Sequence, residues 1–181
     1  MRILGIDPGS GATGFGVVDR LGDRLVHVAH GTLRPARSAS LAARLHRLHR
    51  DLCAVIAQHA PDVAAVEQVF VANSPRAALV LGQARGAILA ALASAELGIT
   101  EYAASHVKRA VTGSGRADKR QVQLMVSRLL ALDSPPAHDA SDALAAAICH
   151  AHAGRLAALA GGRSARPRPT RGARLVVRRV P

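Results

Sequence analysis

At 181 residues and 49% hydrophobic content, the chain has enough apolar material for one domain with a sizeable core. Its net charge of +12 and isoelectric point near 11.6 point to a polyanionic partner, with nucleic acid the first candidate. Only two cysteines are present, which excludes a disulfide framework.

Arg2 to Asp7 reads as a central strand. Ile3, Leu4 and Ile6 are bulky and apolar, and the turn chemistry Pro8-Gly9-Ser10-Gly11 follows. Ile3 already belongs to that strand, so no charged leader with an apolar core is expected before it. No apolar run is read as membrane-spanning, and the protein is expected to be cytoplasmic, away from membranes. An acid closing an apolar strand sits mid-sheet at the rim of a core; the alternative for Asp7 is a plain turn cap. Thr13 to Asp19 and Arg24 to Leu33, joined by Leu21-Gly22-Asp23, continue an antiparallel meander.

Ser40 to Gln58 is predicted as an amphipathic helix. Leu41, Leu45, Leu48, Leu52 and Val55 form its inner face, and Arg44, Arg47 and Arg50 take the other. Cys53 here and Cys149 near the C-terminus fall within apolar patterns without metal spacing. Both are expected to be buried thiols in a reducing compartment. His46 and His49 are expected at the surface or its boundary.

Asp62 to Val66 is a fourth strand, ending on Glu67. A helical crossover makes it parallel to a neighbour in the same sheet, so Glu67 repeats the position of Asp7 at a strand's carboxyl end, where open α/β sheets place their chemistry. The following loop exposes Phe70 or tucks it into the core. Ser74 to Leu97 is predicted as a long helix with Pro75 in its first turn. It is apolar on several faces, with Ala78, Gly82, Gly86 and Ala90 four apart. Such a helix needs cover on two sides: the sheet, and a second copy of the chain.

Ile99 to Ala103 is a short fifth strand. Ser105 is expected to cap a helix carrying Lys108 and Arg109, and Gly113 to Arg116 forms a basic loop. Asp118 and Gln121 form a capping box, so Asp118 is read as structural. The last helix starts after Pro135-Pro136 and runs from His138 to about Leu159. Asp139 and Asp142, three apart, share one face of it. The helix dipole alone would explain one acid there. It does not explain two acids on a helix whose next face, Ala143, Leu144, Ala146, Ala147 and Ile148, is apolar. Beyond it, residues 161–181 hold seven arginines and no acid, which leaves 17 basic residues against 12 acidic ones in residues 1–160. This tail is expected to be disordered, either a non-specific nucleic-acid arm or a solubilising extension. The domain proper is residues 1–160.

Asp7, Glu67, Asp139 and Asp142 are therefore expected to form a four-carboxylate cluster. Clustered carboxylates repel, and hard divalent cations such as magnesium or manganese relieve the repulsion through oxygen-only ligands. Two such ions about 4 Å apart clamp a phosphodiester for in-line attack. Basic charge and acid cluster together predict a nucleic-acid phosphodiesterase. Three other readings are weaker. Asp7-Pro8-Gly9-Ser10-Gly11 resembles the phosphate loop of actin-like ATPases and sugar kinases, which need a second such loop. A non-catalytic nucleic-acid-binding or architectural protein would leave the acids unexplained. An HD-type phosphohydrolase using His138-Asp139 would be all helical.

The order of elements, with acids at these places, resembles the RNase H-like fold: a mixed five-stranded sheet with helices on both faces. Gly5-Ile6-Asp7-Pro8-Gly9, Glu67-Gln68-Val69-Phe70, residues 81–86 (Leu-Gly-Gln-Ala-Arg-Gly) and residues 139–144 (Asp-Ala-Ser-Asp-Ala-Leu) resemble RuvC, the bacterial crossover-junction endodeoxyribonucleases or Holliday junction resolvases. The resemblance spans about Met1 to His152. It implies a homodimer that nicks two strands of like polarity symmetrically at a four-way DNA junction, in recombination and repair. It implies two magnesium or manganese ions per subunit, held by Asp7, Glu67, Asp139 and Asp142. His138 is the alternative to Asp139, because some members carry His at the third acidic position. It further implies DNA contacts by Phe70, Lys108 and Lys119, joined here by Arg76 and Arg116. The implied partners are the RuvA and RuvB branch-migration proteins, and the implied location is the nucleoid.

Overall fold

A computed structural model describes residues 1–68 and 74–159, the last five as helix backbone alone. Phe70 and the arginine-rich tail lie outside the described residues. The elements are β1 (Arg2–Asp7), β2 (Thr13–Leu21), β3 (Arg24–Leu33), α1 (Leu41–His59), β4 (Val63–Glu67), α2 (Pro75–Ser94), β5 (Gly98–Tyr102), α3 (Ala104–Thr112), α4 (Lys119–Leu129) and α5 (His138–Leu159). The sheet order is β3-β2-β1-β4-β5. The first three strands form the antiparallel meander, and β4 runs parallel to both β1 and β5. This is the mixed five-stranded sheet that the sequence predicts.

Period-two alternation sorts β1 between two cores. Leu4 and Ile6 pack with α1 and α2, whereas Ile3 faces α3, α4 and α5. β4 divides the same way, with Ala64 and Val66 on the α1–α2 side and Ala65 on the other. Asp7 is in phase with Ile3, and Glu67 is in phase with Ala65. Because Ile6 pairs with Val66, the two acids end neighbouring parallel strands on one face. That face is the one α5 crosses.

α5 lies unusually close to the sheet. A Cβ on Gly5 would overlap the Ala143 carbonyl oxygen, and one on Gly14 would overlap the Asp139 carbonyl oxygen. On the helix side the contact is built from Ala143, Ala146 and Ala147, all fully buried. Small residues on both surfaces bring the backbone that carries Asp139 and Asp142 down onto the ends of β1 and β2.

Several boundaries differ from the sequence expectation. α3 begins at Ala104, so its cap is Ala103 rather than Ser105, with the Ala103 carbonyl accepting from His106 and Val107. The chain turns into this helix directly from β5, so the serine falls inside it. α2 stops at Ser94 rather than Leu97, because Glu96 adopts a left-handed φ of 54°. Cys149 is buried, but Cys53 is only half-buried. By length and composition α2 is apolar enough to cross a membrane, contrary to expectation. Here Ala84, Ile88, Ala91 and Leu92 bury one side of it in the core. Leu79 is 69% exposed on the other, and Gly82 and Gly86 have open space beside them.

The close approach sets a stability test. Overpacking a core site typically costs about 1–3 kcal/mol, and more where the neighbours cannot move. At Gly5 the obstacle is helix backbone. Gly5→Ala is expected to lose at least about 3 kcal/mol in urea unfolding. An unchanged midpoint would mean that α5 can lift off the sheet without penalty.

Candidate active site

Asp7, Glu67 and Asp142 line one cleft of about 230 Å3, together with Lys108 from α3 and Lys119 from α4; Ala104, Val107 and Val122 complete its walls. Three of the four predicted carboxylates and both predicted lysines thus meet in one place. Each is delivered by a different structural device. Strand parity and register bring Asp7 and Glu67, the α5 contact brings Asp142, and α3 and α4 pack on α5 to bring the lysines. The Asp118–Gln121 capping box is present in both directions, at 2.8 and 3.0 Å. It fixes the first turn of α4, where Lys119 follows the cap.

Asp139 does not line this cleft. Its Oδ2 accepts from Arg34 Nη2 at 3.0 Å, in the segment after β3. Asp139 is nevertheless close enough to raise the pKa of both Asp7 and Asp142 by its charge. His138 is exposed, and its charge acts on Asp142 in the opposite sense. Arg116 is exposed in its loop and Arg76 in the first turn of α2; neither borders the acid cleft. Arg34 is the residue that sequence reasoning missed.

The electrostatics follow from burial. Desolvation, then the charges of Glu67, Asp142 and Asp139, push the Asp7 carboxyl up to about 8, against the opposing pull of Lys119. Burial and Asp142 push Glu67 up to about 7, with Lys119 and Lys108 opposing. Asp142 is raised by burial, while Lys119 and His138 hold it down. Lys119 Nζ stands 3.8 Å from Asp142 Oδ2. Burial and mutual repulsion thus favour the protonated forms of Asp7 and Glu67, while Asp142 and Asp139 each have a cation at hand, Lys119 and Arg34. Among the described residues, no three His, Cys, Asp or Glu side chains are gathered into ligating geometry. The donor set nonetheless fits a hard divalent ion, since it offers carboxylate oxygens alone at a site whose excess negative charge is otherwise met by protons.

Comparison with known proteins agrees with this geometry. Residues 3–150 match the family model described as crossover junction endodeoxyribonuclease RuvC. The chain belongs to the RuvC family. It is 54% identical over 165 residues to the RuvC of Bordetella petrii, covering 91% of each chain. It is 53% identical over 152 residues to that of Geobacter metallireducens, covering 84% of this chain and 93% of the relative. Thermus thermophilus RuvC in complex with a Holliday junction substrate superposes with a TM-score of 0.81 at 32% identity, over 86% of this chain and 96% of that one. The fold is thus the RNase H-like resolvase fold, and the RuvC family is one of metal-dependent nucleases.

The raised carboxyls give a pH dependence whose sign is fixed. A carboxyl whose folded pKa lies above its unfolded value keeps a proton in the folded chain that the unfolded chain has lost. Between the ordinary carboxylate range and about pH 8, stability therefore falls as pH rises. Asp7→Asn removes the largest such group. In chelator, thermal melts of this variant are expected to match the parent near pH 4 and to exceed it increasingly up to pH 8. Parallel curves would show that Asp7 titrates normally.

Proposed function

We propose that this protein resolves four-way DNA junctions by paired nicks in strands of like polarity, using divalent ions held by Asp7, Glu67, Asp142 and Asp139. One observation carries the reading: two strand-end carboxylates and Asp142 of α5 converge on one sheet face, with Lys108 and Lys119 on the walls of the same cleft. The Thermus thermophilus relative is named as a complex with a Holliday junction substrate. Magnesium or manganese fits the oxygen donors, and four carboxylates offer enough ligands for two ions in each subunit. Bound there, the ions supply charge stabilisation of the phosphodiester and a water of lowered pKa.

The chain's own groups do the rest. Asp7 and Glu67 would hold the ions as carboxylates. Asp139, now paired with Arg34, would be the fourth ligand, with the exposed His138 one residue away as the alternative. Lys108 and Lys119 bind the phosphate flanking the cut and offset the repulsion between acid cluster and DNA backbone. Phe70, three residues after Glu67 in sequence, is assigned to stacking on an unpaired base at the junction centre. Arg116 and the arginine-rich tail add sequence-independent backbone contacts. The protein acts in the cytoplasm at the nucleoid, with RuvA and RuvB as partners.

We assign the dimer contact to the free face of α2, where Leu79, Gly82, Gly86 and Ala90 form an exposed apolar stripe. Ile88, on the same helix, is fully buried and serves the core instead. Leu79→Glu is expected to turn a dimer into a monomer in sedimentation at micromolar concentration. A parent protein that itself sediments as a monomer would overturn the assignment.

The acids give the direct test of function. Asp7→Asn, Glu67→Gln, Asp139→Asn and Asp142→Asn are each expected to abolish cleavage of a synthetic four-way junction in magnesium or manganese, as chelator does for the parent. Junction binding should be kept or strengthened, since each change removes a negative charge near phosphate. His138→Ala should cost less than Asp139→Asn if Asp139 is the ligand, and more if His138 is. A folded Asp7→Asn protein that cuts at the parent rate would refute the mechanism.

A further inference from the structure

A second cleft, of about 490 Å3, lies beside the turn that follows Asp7 and at the start of α2. Arg37, Arg44 and Arg76 line it with Ser10 and Ser74, and no acidic side chain does. The three guanidiniums come from separate places: the loop after β3, the first turn of α1 and the first turn of α2. Like charges brought together without a counter-charge are unfavourable unless an anion joins them.

The polar groups around this cleft are underused. Arg44 Nη2 donates to the Ser10 carbonyl at 2.5 Å, but its buried Nε has no hydrogen-bond partner among the described residues. A buried unsatisfied donor is costly. In α2 the first helical backbone bond runs from Ala78 N–H to the Ser74 carbonyl. The N–H groups of Arg76 and Ala77 therefore have no acceptor within the helix, and Pro75 has no N–H. Ser74 makes no side-chain cap, and the first turn carries no acid. The positive end of a 20-residue helix thus opens into a cleft already lined with arginines. The side chains of Ala77 and Val80 add an apolar wall.

We propose that this cleft is a phosphodiester subsite, which takes one backbone phosphate of the bound DNA at a distance from the acid cluster. The inference rests on the nuclease reading and adds a second anchoring point to it. A backbone phosphate suits the cleft better than a free anion. The space is larger than one phosphate fills, and the Ala77–Val80 wall offers contact to a deoxyribose. Arg37 and Arg76 supply charge-assisted donors from two sides. Arg44 links the subsite to the catalytic face, because the carbonyl it holds belongs to Ser10, three residues after Asp7. A phosphate seated here fixes the strand relative to the very turn that leads out of Asp7. Arg44 and Arg76 are thus positioning residues, and Arg37 joins them from the loop.

The test uses the full-length protein and four-way junctions in which single phosphates are replaced by neutral methylphosphonates, one position at a time. Binding is measured in calcium, so that no cutting occurs. For the parent, neutralising the subsite phosphate is expected to weaken binding about tenfold, as loss of a charge-assisted contact does. Arg37→Gln with Arg76→Gln is expected to weaken binding to the unmodified junction similarly and to flatten the salt slope by about 0.9 log units for the lost phosphate. The variant should also become indifferent to neutralisation at that one position. Both arginines are exposed, so the fold should survive their replacement; unchanged circular dichroism and thermal melting check this. Identical methylphosphonate maps for parent and variant would overturn the subsite. An unaltered salt slope would do the same. Magnesium-dependent cutting by the parent is measured alongside. Its absence counts against the nuclease reading, whereas identical maps with cutting intact count against the subsite alone. Inorganic phosphate at millimolar concentration forms a separate arm. If it alone raises the parent's melting temperature and leaves DNA binding undiminished, the cleft is a free-anion site and the DNA assignment falls.

Discussion

The close contact between α5 and the first two strands is the constraint on which the site depends. Layers packed face to face through ordinary side chains, as two sheets are, stand about 10 Å apart, and such a spacer would keep a short acid near the start of α5 from acids at strand ends. Gly5 and Gly14 on the sheet, with Ala143 and Ala147 on the helix, remove that spacer. The interaction is steric before it is chemical. Gly14 meets the backbone of Asp139 itself, so the residue that permits close packing also sets the height of Asp139 above the sheet.

Bringing four acids together creates an electrostatic problem that the chain settles with its own cations and protons. Asp7 and Glu67 are the more buried pair and hold protons near neutral pH. Asp139 and Asp142, nearer the helix end, face Arg34 and Lys119. Burial raises Asp7, Glu67 and Asp142 alike, and at Asp142 the Lys119 ammonium is the strongest opposing influence. Desolvation penalises the carboxylate form where water is excluded, whereas a partly exposed acid can reach a flexible cation. These exposed ion pairs contribute little to stability, because solvent screens them. Their consequence is positional: they hold carboxylates that would otherwise turn toward water.

The sequence made the strand-end acids legible because β1 and β4 are short, apolar and punctuated by turn residues, and because parity fixes the face of every second side chain. Asp118 and Gln121 were legible as a cap, and Pro135-Pro136 marked the approach to α5. What could not be read is instructive. Arg34 is one of many basic residues, and its partner Asp139 is 105 positions away, so no local pattern distinguishes it. Helix ends at Ala60, Glu96 and Ala131 use left-handed backbone without glycine, which removes the usual stop signal and explains the overlong α2. Ser105 satisfied a capping rule, yet the exit from β5 set the helix start first. Arg44 belongs to the charged side of α1 in a helical projection. Unlike Arg47 and Arg50, which pair with Asp51, it turns to hold the Ser10 carbonyl.

That last contact shows how one strand end serves both faces of the sheet. β1 delivers Asp7 toward α5, and the next four residues, Pro8 to Gly11, turn back toward β2. Within this turn the Ser10 carbonyl is taken by Arg44 from α1, a helix on the opposite face. The two layers form separate core clusters on opposite faces of the sheet. Pro8 is buried and fixes φ where the chain leaves the strand, which limits how far Ser10 can move without Asp7 moving too. Gly9 has no room for a Cβ, which would overlap the Ala12 carbonyl oxygen, so the turn is as tight as its backbone allows. The Arg44 contact lies three residues along the chain from Asp7. The acid cluster on one side and the arginine cleft on the other are adjacent along the chain at this turn, although the core lies between most of their residues.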